Sequence, residues 1–97
     1  MINGSELDDV KFDEYVNLVN EILRKGHPVP FFRFMTVMAF KIFLDENVDV
    51  AIIEVGIGGR YDSTNILEFP SVTAVTTLSM EHVNILGSSL ESIAMHK

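Results

Sequence analysis

The chain has 97 residues, of which 47% are hydrophobic, and its mean hydropathy of +0.27 is high for so short a sequence. Such a length suffices for one small domain, which either packs unusually well or is part of something larger. The formal net charge of −7, with only seven scattered lysines and arginines, excludes the basic surface that nucleic acids and anionic membranes require.

The first predicted helix covers about residues 9–25. Asp8 is a suitable N-cap, and Asp9 places negative charge at the favourable end of the helix. Apolar residues recur at intervals of three and four positions: Phe12, Tyr15, Val16, Val19, Ile22 and Leu23. This stripe predicts a helix with one face packed on a core.

A second helix is predicted over about residues 31–46, after the rigid His-Pro-Val-Pro linker of residues 27–30. It is apolar on nearly every side, which predicts a position between layers. The apolar run is shorter than the roughly 20 residues of a membrane span, so no span is expected. Phe31, Phe32 and Arg33, at the start of the helix, are its best candidates for lining a pocket.

Two segments are predicted as strands of a parallel sheet. Residues 48–55 form a nearly continuous apolar run, and residues 72–76 are mostly β-branched. Ser88 and Glu91 have capping-box spacing and predict a final helix over residues 88–97. Helices and strands in this order predict an α/β fold, whose ligands bind beyond the carboxyl ends of the strands.

Glu54, at the far end of the first predicted strand, and His82, in the loop after the second, form a candidate metal site. A carboxylate at the end of a buried strand needs a partner, and carboxylate with imidazole suits Mg²⁺, Mn²⁺ or Zn²⁺. Two alternatives remain open at this point. Glu54 could instead hold the N–H groups of the glycines that follow it, and His82 could be an ordinary surface histidine. His27 and His96 are interpreted as incidental.

The glycine-rich residues 56–59, Gly-Ile-Gly-Gly, allow a sharp turn and a close approach of the backbone to a ligand. They do not form the dinucleotide fingerprint, because the third glycine comes two residues too early, and no triphosphate-binding loop occurs in the sequence. Asp62, Thr64 and Asn65 have two open interpretations, turn formation and substrate contact.

A family resemblance appears in residues 48–65, Val-Asp-Val-Ala-Ile-Ile-Glu-Val-Gly-Ile-Gly-Gly-Arg-Tyr-Asp-Ser-Thr-Asn. They closely resemble the signature of the folylpolyglutamate and dihydrofolate synthases of the Mur ligase superfamily. The resemblance extends to residues 2–4, 31–40 and 81–97, and so covers essentially the whole chain. It implies that residues 1–97 are part of a parallel-sheet, three-layer central ATPase domain, without the upstream phosphate loop and the downstream C-terminal domain.

The resemblance also implies a reaction. Such enzymes use ATP to join the γ-carboxylate of a folate to the amino group of glutamate through an acyl phosphate. Glu54 and His82 would then be Mg²⁺ ligands near the ATP γ-phosphate. Lys97 would be the lysine that is carbamylated and adds negative charge near a second metal. Because a lysine reacts with CO₂ only as the free amine, its pKa would have to be lowered.

For the folate itself, the resemblance implies a pterin site at Phe32 and Asp62, with Ser63 and Asn65 nearby. The aromatic start of the second helix and the Tyr-Asp-Ser-Thr-Asn sequence favour folylpolyglutamate synthase over dihydrofolate synthase. A non-catalytic, truncated relative that binds folate or a partner is the alternative from another class. The family usually has aspartate where Glu81 precedes His82.

Further expectations concern the protein as a whole. Folate, glutamate and ATP are its expected partners, nucleic acid is not, and the parent protein is expected to be monomeric. The lack of cysteine permits a reducing compartment. We expect the cytoplasm, with mitochondria as a further location. The isolated 97-residue chain is expected to be inactive, because nothing in it would hold the phosphates that Mg²⁺ bridges.

Overall fold

The computed structural model describes residues 1–23, 26 and 28–97. Across these residues it contains four helices and no strand: α1 (Asp9–Leu23), α2 (Phe31–Asp45), α3 (Val83–Leu86) and α4 (Leu90–Ala94). None of these helices is long and apolar enough to cross a membrane. The chain divides into two compact units, Met1–Ile52 and Ile53–Lys97, and each is described by itself below.

Helix α1 begins as the sequence predicts. Asp8 Oδ1 accepts hydrogen bonds from the backbone N–H groups of Val10, at 3.0 Å, and Lys11, at 3.3 Å. These contacts satisfy two of the N–H groups that have no partner within the helix, and they confirm Asp8 as the N-cap. The described helix ends at Leu23, and the predicted last turn to residue 25 lies outside the described residues.

Helix α2 also has its predicted extent, with Glu46 as the C-cap. Its surroundings differ from the prediction. Met38 and Ile42 are buried, whereas Phe31 is 78% exposed and Leu44 is 73% exposed. Among the described residues only one face of α2 is covered, because α1 is the helix that packs against it. The expected position between two layers is therefore not realised in this structure.

The core of the first unit lies between α1 and α2. Val19, Met38 and Ile42 are buried in it. Seven partly buried side chains pack around them: Ile2, Leu7, Tyr15, Val16, Leu23, Phe34 and Met35. An ion pair between Lys11 Nζ and Glu46 Oε1, at 2.5 Å, joins the start of α1 to the end of α2. The hydrophobic contacts contribute most of the stability, since exposed ion pairs contribute little.

The two predicted strands form no ladder. The described structure assigns neither residues 48–55 nor residues 72–76 to a strand. Their apolar side chains are exposed, with Ile52 at 91% and Val72 at 84%. A parallel strand needs hydrogen-bonded neighbours and a covering layer on each face, and the described residues supply neither. The helical part of the predicted α/β fold is thus confirmed, whereas the three-layer parallel sheet stays a prediction.

Helices α3 and α4 shape the second unit, in which Leu86 and Ile93 are buried. The short helix α3 was not predicted. Helix α4 is shorter than predicted, and the Ser88–Glu91 capping box is wrong by one residue. Ser89 is the N-cap, and its hydroxyl accepts from the Ser92 N–H at 3.2 Å. Because the Ser92 hydroxyl also accepts from the Ser89 N–H, at 3.3 Å, it takes the part expected of a glutamate.

Candidate functional site at the glycine loop

We refer to residues 56–65 as the glycine loop, and Asp62 organises it. Asp62 Oδ2 accepts from the Ile57 N–H at 2.9 Å. Asp62 Oδ1 accepts from the Thr64 N–H at 2.9 Å and from the Thr64 hydroxyl at 2.7 Å. Asn65 donates its amide N–H to the Arg60 carbonyl at 2.9 Å. The turn-forming interpretation of Asp62, Thr64 and Asn65 is therefore confirmed.

The same contacts set the charge of Asp62. Burial by itself raises the pKa of this carboxyl, but hydrogen bonds from the backbone of Ile57 and Thr64, the Thr64 hydroxyl and the backbone of Gly56 outweigh it. The pKa of Asp62 is consequently lowered, and the carboxylate is ionised at neutral pH. Asp62 thus holds N–H groups of the glycine loop, a role that the sequence leaves open for Glu54. Glu54 is exposed in this structure.

The glycine loop packs tightly on the residues that follow α4. The Arg60 N–H donates to the His96 carbonyl oxygen at 2.7 Å. A Cβ at Gly59 would lie 2.7 Å from that oxygen, and a Cβ at Gly58 would lie 2.8 Å from Leu86 Cδ2. Gly58 also has a φ of +71°, in the left-handed region. The positive φ therefore favours glycine at position 58, and the close His96 backbone leaves no space for a side chain at position 59.

A pocket of about 370 Å³ opens beside the glycine loop. Its lining consists of Ile57, Gly59, Tyr61, Asp62, Ser63, Ile85, Leu86 and His96. The rings of Tyr61 and His96 meet edge to face, with centroids 5.8 Å apart and an angle of 66° between their planes. The lining combines apolar residues with a carboxylate and a hydroxyl, and the pocket is open to solvent.

The structure brings only some of the predicted folate-binding residues to this pocket. Asp62 and Ser63 line it. Asn65 is exposed and does not line the pocket. Phe32 belongs to the first unit, at the start of α2, where it is 45% exposed. Tyr61 and His96 also line the pocket, although the sequence gives Tyr61 no site role and His96 is interpreted there as incidental.

Of the two predicted metal-binding residues, Glu54 lies within residues 48–55 and His82 directly precedes α3. Glu54 and His82 are exposed, and His82 caps α3 with a φ of +47°. The described residues contain no group of three or more histidines and carboxylates that could hold an ion. The chemistry of the two side chains fits Mg²⁺, which usually keeps several waters and takes one or two protein ligands together with phosphate. Their assignment as ligands remains a prediction.

Lys97 has a clear partner in this structure. Its Nζ lies 3.1 Å from Glu81 Oε1, an ion pair between the last residue and the residue before His82. This contact brings Lys97, the predicted carbamylation site, close to Glu81, which directly precedes the predicted metal ligand His82 in the sequence. The sequence shows that Glu81 departs from the family pattern, but only the structure shows that Glu81 pairs with Lys97.

Known proteins similar to this chain include several folylpolyglutamate synthases. A probable folylpolyglutamate synthase of Schizosaccharomyces pombe is 49% identical over 86 residues, which are 89% of this chain and 17% of the relative. The folylpolyglutamate synthase of Arabidopsis thaliana is 46% identical over 99% of this chain and 16% of the relative. A mitochondrial folylpolyglutamate synthase of Homo sapiens is 53% identical over 70% of this chain and 12% of the relative.

These similarities identify the family of the chain, including the glycine loop. The chain is a member of the folylpolyglutamate synthase family. It spans about one sixth of the length of the relatives from S. pombe and A. thaliana. No protein-family model matches the chain, and no solved structure matches it.

Proposed function

We propose that the protein containing this chain is an ATP-dependent ligase that adds glutamate to the γ-carboxylate of folates. The observation that carries this proposal is the 46% identity with a folylpolyglutamate synthase over 99% of the chain, a span that includes the glycine loop. The pocket beside that loop supports it, because Asp62 and Ser63 line a space of suitable character for an organic ligand. The 97 residues would form part of the ATPase domain.

The proposal includes the three-layer parallel sheet of a Mur-ligase-like central domain. Residues 48–55 and 72–76 would be two strands of that sheet, paired with strands from other parts of the protein. Their apolar side chains, exposed in this structure, would then be covered on both faces. The exposure of Ile52, at 91%, and of Val72, at 84%, supports this assignment, because the strands of a parallel sheet bury such side chains on both faces.

In the proposed reaction, residues of this chain hold the substrates. Asp62, Ser63, Asn65 and Phe32 would contact the pterin ring of the folate. The γ-carboxylate of the folate takes the terminal phosphoryl group of ATP and releases ADP. The amino nitrogen of glutamate then forms the amide bond, with loss of phosphate and a proton. A fixed glycine loop would keep the acceptor oriented throughout these two steps.

Glu54 and His82 would bind Mg²⁺, with water and phosphate oxygens completing its coordination. When bound, Mg²⁺ neutralises charge on the transferring phosphoryl group. Lys97 would carry a carbamate, which forms when the free amine attacks CO₂ and loses a proton. In this structure Lys97 pairs with Glu81 at 3.1 Å, so carbamylation requires that this contact be released.

Partners and location follow from the same proposal. Folate, glutamate and ATP are the proposed small-molecule partners, and the net charge of −7 disfavours nucleic acid. The protein is proposed to act as a monomer in the cytoplasm and in mitochondria. A mitochondrial location is supported by the name of the human relative.

A ligase assay tests the proposed function. The natural polypeptide that carries this sequence would be incubated with tetrahydrofolate, glutamate and MgATP, and the products separated by mass. We expect a product one glutamate longer, formed only when ATP is present. Activity on dihydropteroate but not on tetrahydrofolate would identify a dihydrofolate synthase, and folate binding without turnover would identify a non-catalytic relative. Glutamate addition by the 97-residue chain alone would overturn its predicted inactivity.

A further inference from the structure

We propose that His96 is a positioning residue, which fixes the glycine loop and so places Asp62 and Ser63 at the pocket. The inference that His96 holds the loop stands on the geometry of the second unit. Its consequence for catalysis rests on the proposed function, because only a ligand in the pocket would sense the position of the loop. Two separate contacts of His96 carry the inference, one through its backbone and one through its ring.

The backbone contact is a short hydrogen bond from the Arg60 N–H to the His96 carbonyl, 2.7 Å between nitrogen and oxygen. Within the part of the chain that the structure describes, this backbone hydrogen bond links the glycine loop to the segment after α4. The lack of a side chain at Gly59 makes the approach possible, since a Cβ there would lie 2.7 Å from the same oxygen. The loop is thus held at Arg60, two residues before Asp62.

The ring of His96 contacts Tyr61, the residue between Arg60 and Asp62. Tyr61 is 81% exposed, so little besides the His96 ring fixes its side chain, while His96 is half-buried. The edge-to-face geometry, with centroids 5.8 Å apart, is the favourable arrangement for an aromatic pair. Because Tyr61 lies between Arg60 and Asp62, the two contacts together fix the stretch that leads into the pocket.

The same carbonyl also connects the loop to Lys97. The peptide group that accepts from Arg60 joins His96 to Lys97, and a Cβ at Gly59 would lie 3.4 Å from Lys97 Cα. The glycine loop therefore packs directly on the backbone of Lys97. His96 couples the residues proposed to contact folate with the lysine proposed to be carbamylated, so that displacement of one would displace the other.

Hydrogen exchange tests the positioning role without requiring activity. The natural polypeptide would be compared with His96→Ala, His96→Phe and Tyr61→Ala, and with the control Met95→Ala. Met95 is 67% exposed, adjoins His96 and does not line the pocket. We expect His96→Ala and Tyr61→Ala to speed exchange at the Ile57, Arg60 and Thr64 amides about two- to tenfold, which is the worth of an aromatic pair. His96→Phe, which keeps a ring, and Met95→Ala should exchange as the natural protein does.

Unchanged exchange in both His96→Ala and Tyr61→Ala would overturn the inference. If His96→Ala does not fold, Tyr61→Ala decides the question, since it removes the same contact from the exposed side. A merely structural role for His96 predicts faster exchange throughout the second unit, with no rescue by His96→Phe, and that result would also contradict the proposal.

Ligase kinetics then separate this inference from the proposed function. We expect His96→Ala to raise KM for tetrahydrofolate more than it lowers kcat, and His96→Phe to restore KM. A natural polypeptide that shows no ligase activity would refute the proposed function, and the exchange results would still decide the positioning role. Normal activity with an unchanged KM in His96→Ala would contradict the proposed coupling of His96 to the pocket.

Discussion

Asp62 shows how a residue can combine a structural and a functional assignment. Its two carboxylate oxygens accept three hydrogen bonds within the loop, from Ile57 and Thr64, while the residue also lines the pocket. A ligand that approaches Asp62 therefore meets a carboxylate already held in place, which lowers the cost of ordering it on binding.

The lowered pKa of Asp62 makes a pH prediction. The folded pKa lies below the ordinary value of 3.8, so the unfolded state binds more protons in this range. The stability that Asp62 contributes is present above about pH 4 and is lost as the pH falls through the folded pKa. We expect the unfolding free energies of the natural protein and Asp62→Asn to converge as the pH falls from about 4 through the folded pKa of Asp62, as measured by urea denaturation. A difference that stays constant over this range would contradict the prediction, as would a carboxyl NMR midpoint above 3.8 for Asp62.

Single residues were predicted from sequence where the signal is local. Asp8 is recognisable as an N-cap from sequence because an N-cap side chain bonds to backbone groups close to it in the chain. In the structure these groups lie two and three residues on. His96 was missed because its role depends on contacts with Arg60 and Tyr61, more than thirty residues earlier in the chain. No periodicity or capping rule reports such a contact.

At the scale of elements, the glycine loop depends on close backbone approach. We expect Gly59→Ala to lower the unfolding free energy by about 2–4 kcal/mol, because the added methyl group would press on the His96 carbonyl and occupy a positive φ. Gly4→Ala is the matched control. Gly4 has a φ of +81° but open space around its Cβ, so only about 1 kcal/mol of backbone strain is expected. Native-state hydrogen exchange reports the stability of each unit separately, and equal losses in the two variants would refute the steric explanation.

The packing of α1 on α2 gives a second prediction at this scale. Val19 is fully buried in the core of the first unit, and Val10 on the same helix is 67% exposed. We expect Val19→Ala to destabilise that unit by about 2 kcal/mol through lost burial and a cavity, and Val10→Ala to have an effect below about 0.5 kcal/mol. Urea denaturation, monitored by circular dichroism, measures the unfolding free energy of both variants. A small effect of Val19→Ala would mean that the α1–α2 contact does not hold the unit together.

Elements were predictable to different degrees for a physical reason. The bounds of α2 match the prediction, and α1 begins where predicted, because capping and apolar spacing are local properties. A parallel strand depends on neighbours that are distant in sequence, so residues 48–55 carry the pattern of a buried strand without forming one here. The shift of the α4 cap from Ser88 to Ser89 arose because serine at position 92 substitutes for a glutamate.

At the scale of the whole molecule, composition and exposure agree. Hydrophobic residues make up 47% of the sequence, and the two small cores of this structure bury only a few of them. Large side chains such as Phe69, which is 92% exposed, remain uncovered. The chain spans about one sixth of the length of the S. pombe and A. thaliana relatives. The sequence therefore carries the pattern of a larger protein, while the structure shows the contacts that these residues make among themselves.

We propose that Glu54 and His82 bind Mg²⁺ in an ATP-dependent folate ligase, and the Mg²⁺ dependence of turnover is the decisive test of this proposal. Glu54→Ala and His82→Ala would be assayed in the natural polypeptide for glutamate addition to tetrahydrofolate across a Mg²⁺ titration, with the exposed Glu68→Ala as control. We expect each of the two variants to lose at least about a hundredfold in kcat/KM and the control to keep its activity. Unchanged Mg²⁺-dependent turnover in both Glu54→Ala and His82→Ala would contradict the proposal.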